Sequence, residues 1–229
     1  MSGNPQARRE RPSGMWSTAP PPNRPGPPTR WSRRQHGPEA ARAYRQHFLD
    51  LAADGADLHG EARFVTTLVP PPSRVLDAGC GYGRVASELT RLGHDVLGVD
   101  ADPDLLALAR EDADTRFVLA DLSTLDLRTE QEFHVAVLAG NVVPYLADGT
   151  LAQVLERLGA HLAPGGYLVA GFALPGALPP GAAPVDPGDY DRWARAAGLS
   201  FIARYSSWDR APFAPDGDYA LTVHRLVNG

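Results

Sequence analysis

Three glycines and an acid stand where a predicted strand turns into a predicted helix, in the stretch VLDAGCGYGRVA at residues 75–86. Gly79, Gly81 and Gly83 occupy every second position, and Asp77 precedes them. Glycines tolerate positive φ angles and let a ligand approach the main chain. The free N–H groups at a helix start favour an anion. The stretch therefore predicts a ligand-binding turn.

Two further acids are placed to complete a binding site. Asp100 ends the next predicted strand, 21 residues after Gly79, and Asp121 ends the strand after that. In an open parallel sheet these strand ends meet at the carboxyl edge, where ligands bind. A carboxylate at the first place can accept both hydroxyls of a ribose, and one at the second can accept an exocyclic amine.

Two adenosine-containing cofactors compete for such a turn. A dinucleotide fingerprint reads G-x-G-x-x-G, but its third glycine would fall at Arg84, and the glycine stands at Gly83 instead. Asp77 is awkward beside a pyrophosphate and suits an ammonium group. A ligand that combines an adenosine with an amino-acid ammonium is S-adenosylmethionine, which the pattern favours.

Five segments in chain order resemble the class I S-adenosylmethionine-dependent methyltransferases. They are VLDAGCGYG (75–83), GVDAD (98–102), LAD (119–121), LAGNVVPYL (138–146) and LAPGGYLVAGF (162–172). One G-x-G-x-G alone is a weak signal, whereas five segments in order at the family's spacing are specific. The resemblance covers about residues 40–229.

The resemblance implies which residues meet the amino-acid end of the cofactor. Asp77, Gly79 and Gly81 would face its methionyl part. The backbone near Ala139 and Asn141 would line the same end from the next strand of the sheet.

The resemblance also implies the residues for the nucleoside end. Asp100 would hold the ribose hydroxyls, and Ala101 would lie against the adenine. Asp121 would take the adenine amine, and the N–H of Leu122 a ring nitrogen. Ala101 is smaller than the bulky apolar residue usual at this place, so we expect looser packing against the adenine.

The methyl acceptor is predicted to be a small organic molecule, because aromatic side chains surround the expected methyl position. Tyr44 and Phe48 on the first helix, and Tyr145 after the fourth strand, are predicted to border this pocket. His47 is the only plausible general base nearby, and no catalytic residue is securely identified. The C-terminal hairpin loop with Trp208 is an alternative wall.

The elements that must position these residues alternate between strands and helices. Strands are predicted at 95–100, 115–121, 133–140 and 166–174 after the first strand, and helices at 83–92, 103–112, 148–162 and 187–197. Strands that are apolar on both faces and separated by helices indicate a parallel sheet covered on both sides. The last two strands have no helix between them and predict a hairpin. The predicted fold is α/β: a mixed seven-stranded sheet, five parallel strands plus a C-terminal antiparallel hairpin, with helices on both faces.

Composition divides the chain into three parts. Residues 1–38 hold nine of the 22 prolines and seven arginines, with little apolar periodicity. Such a segment is predicted to be a disordered tail, with docking of Trp16 or Trp31 as the alternative. Residues 39–72 form a predicted N-terminal helical cap, and residues 73–229 the S-adenosylmethionine-binding domain.

Charge and cysteine content exclude several classes of function. The formal net charge is -5, and the part after the basic tail is more acidic still, which disfavours nucleic acid. No apolar run approaches the ~18 residues of a membrane span. A single cysteine and a polar N-terminus predict a cytoplasmic location. The histidines show no metal-ligand spacing, and the oligomeric state stays open.

The sequence thus predicts an S-adenosylmethionine-dependent methyltransferase that acts on a small molecule. The acceptor atom, O, N or C, is left open. A non-catalytic adenosyl-ligand sensor or partner-binding module is the alternative. A nicotinamide oxidoreductase is disfavoured by Arg84 and by the absence of a second catalytic half.

Overall fold

The computed structural model describes residues 25–34, 37–111, 114–127 and 132–227. In this part of the chain seven strands form one sheet with helices on both sides. The strands are β1 (Arg74–Ala78), β2 (Asp95–Asp100), β3 (Arg116–Leu119), β4 (Phe133–Leu138), β5 (Leu162–Ala173), β6 (Leu199–Tyr205) and β7 (Tyr219–Leu226). The helices are α1 (Pro38–Ala53), α2 (Gly60–Leu68), α3 (Arg84–Arg91), α4 (Pro103–Glu111), α5 (Val142–Tyr145), α6 (Leu151–Gly159) and α7 (Pro187–Ala196).

The strand order is β3-β2-β1-β4-β5-β7-β6. Strands β1 to β5 are parallel, β7 runs antiparallel to β5, and β6 pairs antiparallel with β7. The predicted mixed sheet with its C-terminal hairpin is confirmed. The order reverses between β1 and β4, and ligands of open α/β sheets bind in the crevice outside the strands at such a point.

Alternate residues of each central strand enter opposite cores. Val75 of β1 packs with Phe64 and Leu89, which come from α2 and α3. Its neighbour Leu76 enters the second core, which contains Leu155 of α6. Both faces of β1 are therefore buried, which explains why the strand reads as a continuous apolar run.

Helix α4 begins as its sequence predicts. The Oδ1 atom of Asp102 accepts hydrogen bonds from the N–H groups of Asp104 at 2.9 Å and Leu105 at 3.2 Å. Pro103 occupies the first helical position, where its missing N–H is not needed. The cap fixes the chain directly after Asp100, at the edge where the site lies.

Several element bounds differ from the prediction. Strand β5 begins at Leu162 rather than residue 166, because Leu162 pairs with Phe133 before a register shift in the ladder. Helix α6 begins at Leu151 rather than residue 148, after a turn in which Gly149 has φ 75°. The short helix α5 after β4 was not predicted.

The predicted disordered tail is wrong for residues 25–34. Trp31–Arg33 form a turn of 3-10 helix. The Trp31 ring packs edge to face on Tyr44 and Tyr145, with centroid distances of 5.1 and 5.5 Å. These partners lie on α1 and α5, so no local pattern within the tail reveals them. Gly37 and Pro38, the last residues of the predicted tail, cap and begin α1, and residues 1–24 and 35–36 lie outside the described residues.

Among the described residues, no helix combines the length and the apolar character that crossing a membrane requires.

Candidate active site

The three glycines of the turn after β1 all adopt positive φ angles. Gly79, Gly81 and Gly83 have φ of 82°, 55° and 86°. A Cβ atom on Gly79 would lie 2.5 Å from the Val142 side chain, and one on Gly83 would lie 2.8 Å from the Phe117 ring. Backbone conformation and tight packing therefore both require glycine here, apart from any ligand.

The carboxylate at the end of β2 is held by main-chain amides. The Oδ2 atom of Asp100 accepts from the N–H of Gly81 at 2.8 Å, and Oδ1 accepts from the N–H of Asp102 at 2.8 Å. Burial raises the pKa of the Asp100 carboxyl to about 6. The end of β2 is thus tied to the glycine turn, with its carboxyl group oriented toward the carboxyl edge of the sheet.

The acid that precedes the glycines is almost completely buried. The exposed fraction of Asp77 is 1%, and its Oδ2 atom has no hydrogen-bond partner among the described residues. Burial raises the pKa of Asp77 to about 7, although the nearby Arg84 guanidinium acts to lower it. A buried acceptor without a donor is costly, so the pocket suits a ligand that brings a donor, above all a cationic one.

Two adjoining cavities open along this edge. The strand-end cavity is bordered by the ends of β2 and β3, and its walls include Asp100, Ala101, Leu105, Asp121 and Leu122. The glycine-loop cavity is bordered by the turn after β1, and its walls include Asp77, Gly79, Cys80, Gly81, Tyr82, Arg84 and Val85. Gly79, Gly81, Gly140 and Tyr44 belong to both. A ligand with one end in each cavity would pass over these shared residues.

Eight of the nine predicted cofactor residues line these two cavities. The predicted residue that lines neither cavity is Asn141. It adopts a left-handed conformation with φ 67°. Its Oδ1 atom accepts from the N–H of Ala173 at 2.7 Å and so ties the turn after β4 to the end of β5. Gly140, the preceding residue, lines both cavities in its place.

One oxygen of the Asp121 carboxyl group accepts hydrogen bonds within its own turn. Its Oδ1 atom accepts from the N–H of Ser123 at 2.8 Å and from the Ser123 hydroxyl at 2.6 Å, which caps the 3-10 turn that follows. The backbone of Gly26, from the N-terminal segment, lies directly against its carboxyl group. Asp121 thus stands between the cavity and a segment that covers it.

The residues predicted to border the methyl acceptor divide between the cavities. Tyr44 lines both, Phe48 lines the glycine-loop cavity and Tyr145 lines the strand-end cavity. The Tyr145 hydroxyl donates to the carbonyl of Pro180 at 3.0 Å. His47 is exposed and lines neither cavity.

Sequence reasoning missed the role of Arg84, which it used only against a dinucleotide. Arg84 lines the glycine-loop cavity, and its guanidinium donates to both carboxylate oxygens of Glu61. It also donates to the carbonyl of Leu58 and lies over the Phe48 ring, 5.3 Å from the centroid. No spacing signal links Glu61 to Arg84, because the pair forms only when α2 packs on α3.

Comparisons with known proteins agree with this arrangement. A family model described as a methyltransferase domain matches residues 75–166. The solved structure of a TehB-like SAM-dependent methyltransferase from Corynebacterium glutamicum is 36% identical, with a TM-score of 0.73. That likeness covers 82% of this chain and 98% of that one.

Curated relatives match over a shorter region. The ubiquinone biosynthesis O-methyltransferase of Nitrobacter winogradskyi is 36% identical over 100 residues, which is 42% of this chain and 37% of the relative. The ribosomal protein L11 methyltransferase of Symbiobacterium thermophilum is 34% identical over 111 residues, 47% of this chain and 34% of the relative. The chain therefore spans only about a third of the length of these relatives. The likeness over nearly all of the Corynebacterium protein shows that this chain belongs to the family of S-adenosylmethionine-dependent methyltransferases, whose methyl donor is S-adenosylmethionine.

Proposed function

We propose that the protein transfers a methyl group from S-adenosylmethionine to a small organic acceptor. The observation that carries the proposal is the pair of joined cavities. One has carboxylates suited to a nucleoside at its wall. The other has aromatic side chains and the buried Oδ2 of Asp77, which has no hydrogen-bond partner among the described residues.

The residues present fit the donor. The Asp100 carboxyl group, oriented by two main-chain amides, would accept the ribose hydroxyls. The Asp77 carboxylate would accept from the ammonium group, which would supply the donor that its Oδ2 lacks. Ala101, Asp121 and Leu122 would surround the adenine in the strand-end cavity. Bound there, the cofactor supplies an electrophilic methyl group on a sulfonium whose leaving group is a neutral thioether.

Electrostatics at these walls favour a cationic donor over its neutral product. The positive charge of Arg84 is balanced by the two hydrogen bonds to Glu61. The carboxyl groups of Asp77 and Asp100 remain around the glycine turn, and a bound cation would favour their ionised forms. Opposite charges interact more strongly in a buried site than in water. The pocket therefore favours the sulfonium and ammonium charges of the methyl donor.

The rate of transfer would come from positioning. Among the described residues that line the glycine-loop cavity, burial raises the pKa of Tyr44 to about 12 and also raises those of Tyr82 and Cys80. These groups are protonated near neutral pH and are poor bases. Alignment of the nucleophile, methyl and sulfur can contribute on the order of 7–11 kcal/mol. We expect transfer to follow the ionisation of the acceptor itself.

The acceptor class follows from the wall of the glycine-loop cavity. Tyr44, Phe48 and Tyr82 form a chain of tilted and edge-to-face ring contacts there, with centroid distances of 5.2 to 6.1 Å. Aromatic rings provide apolar surface for a planar organic acceptor and stabilise a nearby cation.

The test uses the purified full chain and S-adenosylmethionine with an isotopically labelled methyl group. A panel of phenols, catechols and amines is incubated with it, and methylated products are identified by mass spectrometry. The proposal predicts label in at least one small acceptor and none with the Asp77→Ala variant. Cofactor binding with no transfer to any extract component would instead favour an adenosyl-ligand sensor. Label only in protein or nucleic acid would contradict a small acceptor.

A further inference from the structure

The N-terminal segment from residue 25 to residue 34, here called the strap, contributes residues to the wall of the strand-end cavity. At one end the Gly26 backbone lies against the Asp121 carboxyl group. Further along, Thr29 and Trp31 line the cavity itself. The strap therefore forms a wall of the cavity that the methyltransferase motifs do not supply.

Hydrogen bonds hold the strap to two elements of the site. The N–H of Arg30 donates to the carbonyl of Tyr145 at 2.9 Å. The indole Nε1 of Trp31 donates to the Oδ2 of Asp102 at 2.9 Å. Asp102 caps α4 with its other oxygen, so the strap is attached to the residue that follows Ala101 directly.

Ion pairs hold the outer side of the strap. Arg30 and Arg33 both pair with Asp148, which lies in the turn before α6. Arg34 donates to the Tyr145 hydroxyl, and its guanidinium lies 5.2 Å from the centroid of the Trp31 ring. The carboxyl group of Asp148 is 57% exposed. Exposed ion pairs are weak and are screened by salt, so these contacts can open.

The Trp31 ring lies where it can compensate for the small side chain of Ala101. Ala101 offers less apolar surface than the bulky residue usual at its position. Trp31 lines the same cavity as Ala101 and packs on Tyr44 and Tyr145. An aromatic ring there supplies a broad apolar face for a nucleoside, which replaces what the small side chain lacks.

We propose that the strap closes the strand-end cavity over the nucleoside of the bound donor, with Trp31 as the residue that packs on it. The inference rests on the proposed function, since it assumes that the donor occupies this cavity. Donor and product then leave only when the strap lifts, and its anchoring contacts set how fast they leave.

The experiment measures how fast labelled S-adenosylhomocysteine leaves the full chain when unlabelled compound is added in excess. The Trp31→Ala variant is expected to release it at least tenfold faster, and Trp31→Phe, which keeps a ring, less than threefold faster. Trp193→Ala removes an exposed tryptophan of α7 and is the matched control, with release at the wild-type rate.

A second variant tests the ion pairs without touching the cavity wall. Raising the salt concentration is expected to speed release from the wild type but not from Asp148→Asn, which lacks the pairing charge. Wild-type release rates in a folded Trp31→Ala variant, or an unchanged salt response in Asp148→Asn, would overturn the strap proposal. If the wild type does not bind S-adenosylhomocysteine at all, the proposed function fails instead.

Discussion

Two of the places where the described residues bury or partly bury charged side chains differ in what surrounds them. At the site, Asp77, Glu61 and Arg84 meet beside the glycine-loop cavity. At the far edge of the sheet, Asp191 of α7 lies between Arg204 of β6 and His224 of β7. Its Oδ1 is 2.6 Å from Nη2 of Arg204 and 3.0 Å from Nε2 of His224.

Burial and missing partners do not distinguish the two clusters. In the described structure, the Oδ2 of Asp77 and the hydroxyl of Tyr190 beside the far cluster are both buried without a hydrogen-bond partner. The far cluster, however, borders neither of the two site cavities, and its acid has a guanidinium and an imidazole as close neighbours. A buried charge thus indicates a site only where a cavity reaches it. Elsewhere it indicates how a helix is fixed to the sheet.

The test with the largest expected effect replaces one acid of each region, Asp100 at the site and Asp191 at the far edge, by alanine. Asp100→Ala removes the acceptor of the ribose hydroxyls, so S-adenosylmethionine affinity is expected to fall at least tenfold through loss of two charge-assisted hydrogen bonds. Asp191→Ala is the matched control, and its affinity should stay within twofold of wild type. Calorimetry on the folded variants measures both. Equal affinities of the wild type and Asp100→Ala would remove Asp100 from the site.

The pH dependence of the free energy of unfolding reports the protonation of Asp77, the buried acid of the site. Because the pKa of Asp77 is raised to about 7 by burial, the folded protein holds this proton to higher pH than the unfolded chain does. The group's contribution to stability is therefore largest below about pH 4 and is lost as the pH rises through 7. Asp100, with a pKa raised to about 6, acts in the same direction.

The Asp77→Asn variant isolates this contribution. Between pH 5 and pH 8 the wild type is expected to lose on the order of 2 kcal/mol relative to the variant, from about 1.4 kcal/mol per pKa unit. Urea unfolding of the ligand-free proteins at both pH values gives the difference. A difference independent of pH would show that Asp77 is ionised throughout.

The far cluster is expected to affect stability and nothing else. Asp191→Asn leaves the buried His224 and the partly buried Arg204 without their charged acceptor, which costs about 1–2 kcal/mol of unfolding free energy. The pKa of His224 is lowered by burial, opposed by Asp191, so the ring is neutral near pH 7. Chemical unfolding at pH 7 measures the loss. A change in cofactor affinity as well would mean that the two regions are coupled.

The sequence predicts the parts of the site that are encoded locally. The glycine turn, Asp100 and the Asp102 cap are each marked by residue type and position at a strand end, and the structure places them together. The side chain of Asn141 bonds to Ala173 on the next strand, which the sequence does not reveal, while the backbone beside it, at Gly140, lines both cavities. His47 lines neither cavity, and its role as a base stays a prediction.

The strap shows why other parts of the site could not be predicted from the sequence. Its composition is typical of a disordered tail, and its docking depends on aromatic rings and an acid more than ten residues away in sequence. Trp31 meets Tyr145, and Arg30 meets Asp148, only after the sheet has formed. Contacts of this kind are set by tertiary structure, and composition carries no trace of them.

The smallest expected effect on stability comes from removing the part of the tail that precedes the strap. Residues 1–24 lie outside the described residues and keep the composition of a disordered segment, so their removal should leave the melting temperature unchanged. Removing residues 1–36 also deletes the strap and its contacts with Tyr44, Tyr145 and Asp148. Aromatic and exposed ionic contacts of this kind contribute about 1–2 kcal/mol together.

The second truncation should therefore lower the melting temperature by roughly 2–8 °C, because about 1 kcal/mol corresponds to about 2–4 °C at this chain length. Scanning calorimetry of the two truncations beside the full chain makes the comparison. Equal melting temperatures for all three would show that the strap contributes nothing to stability in the ligand-free protein. A large drop on removing residues 1–24 alone would instead place a docked segment, with Trp16 as its candidate anchor, before the strap.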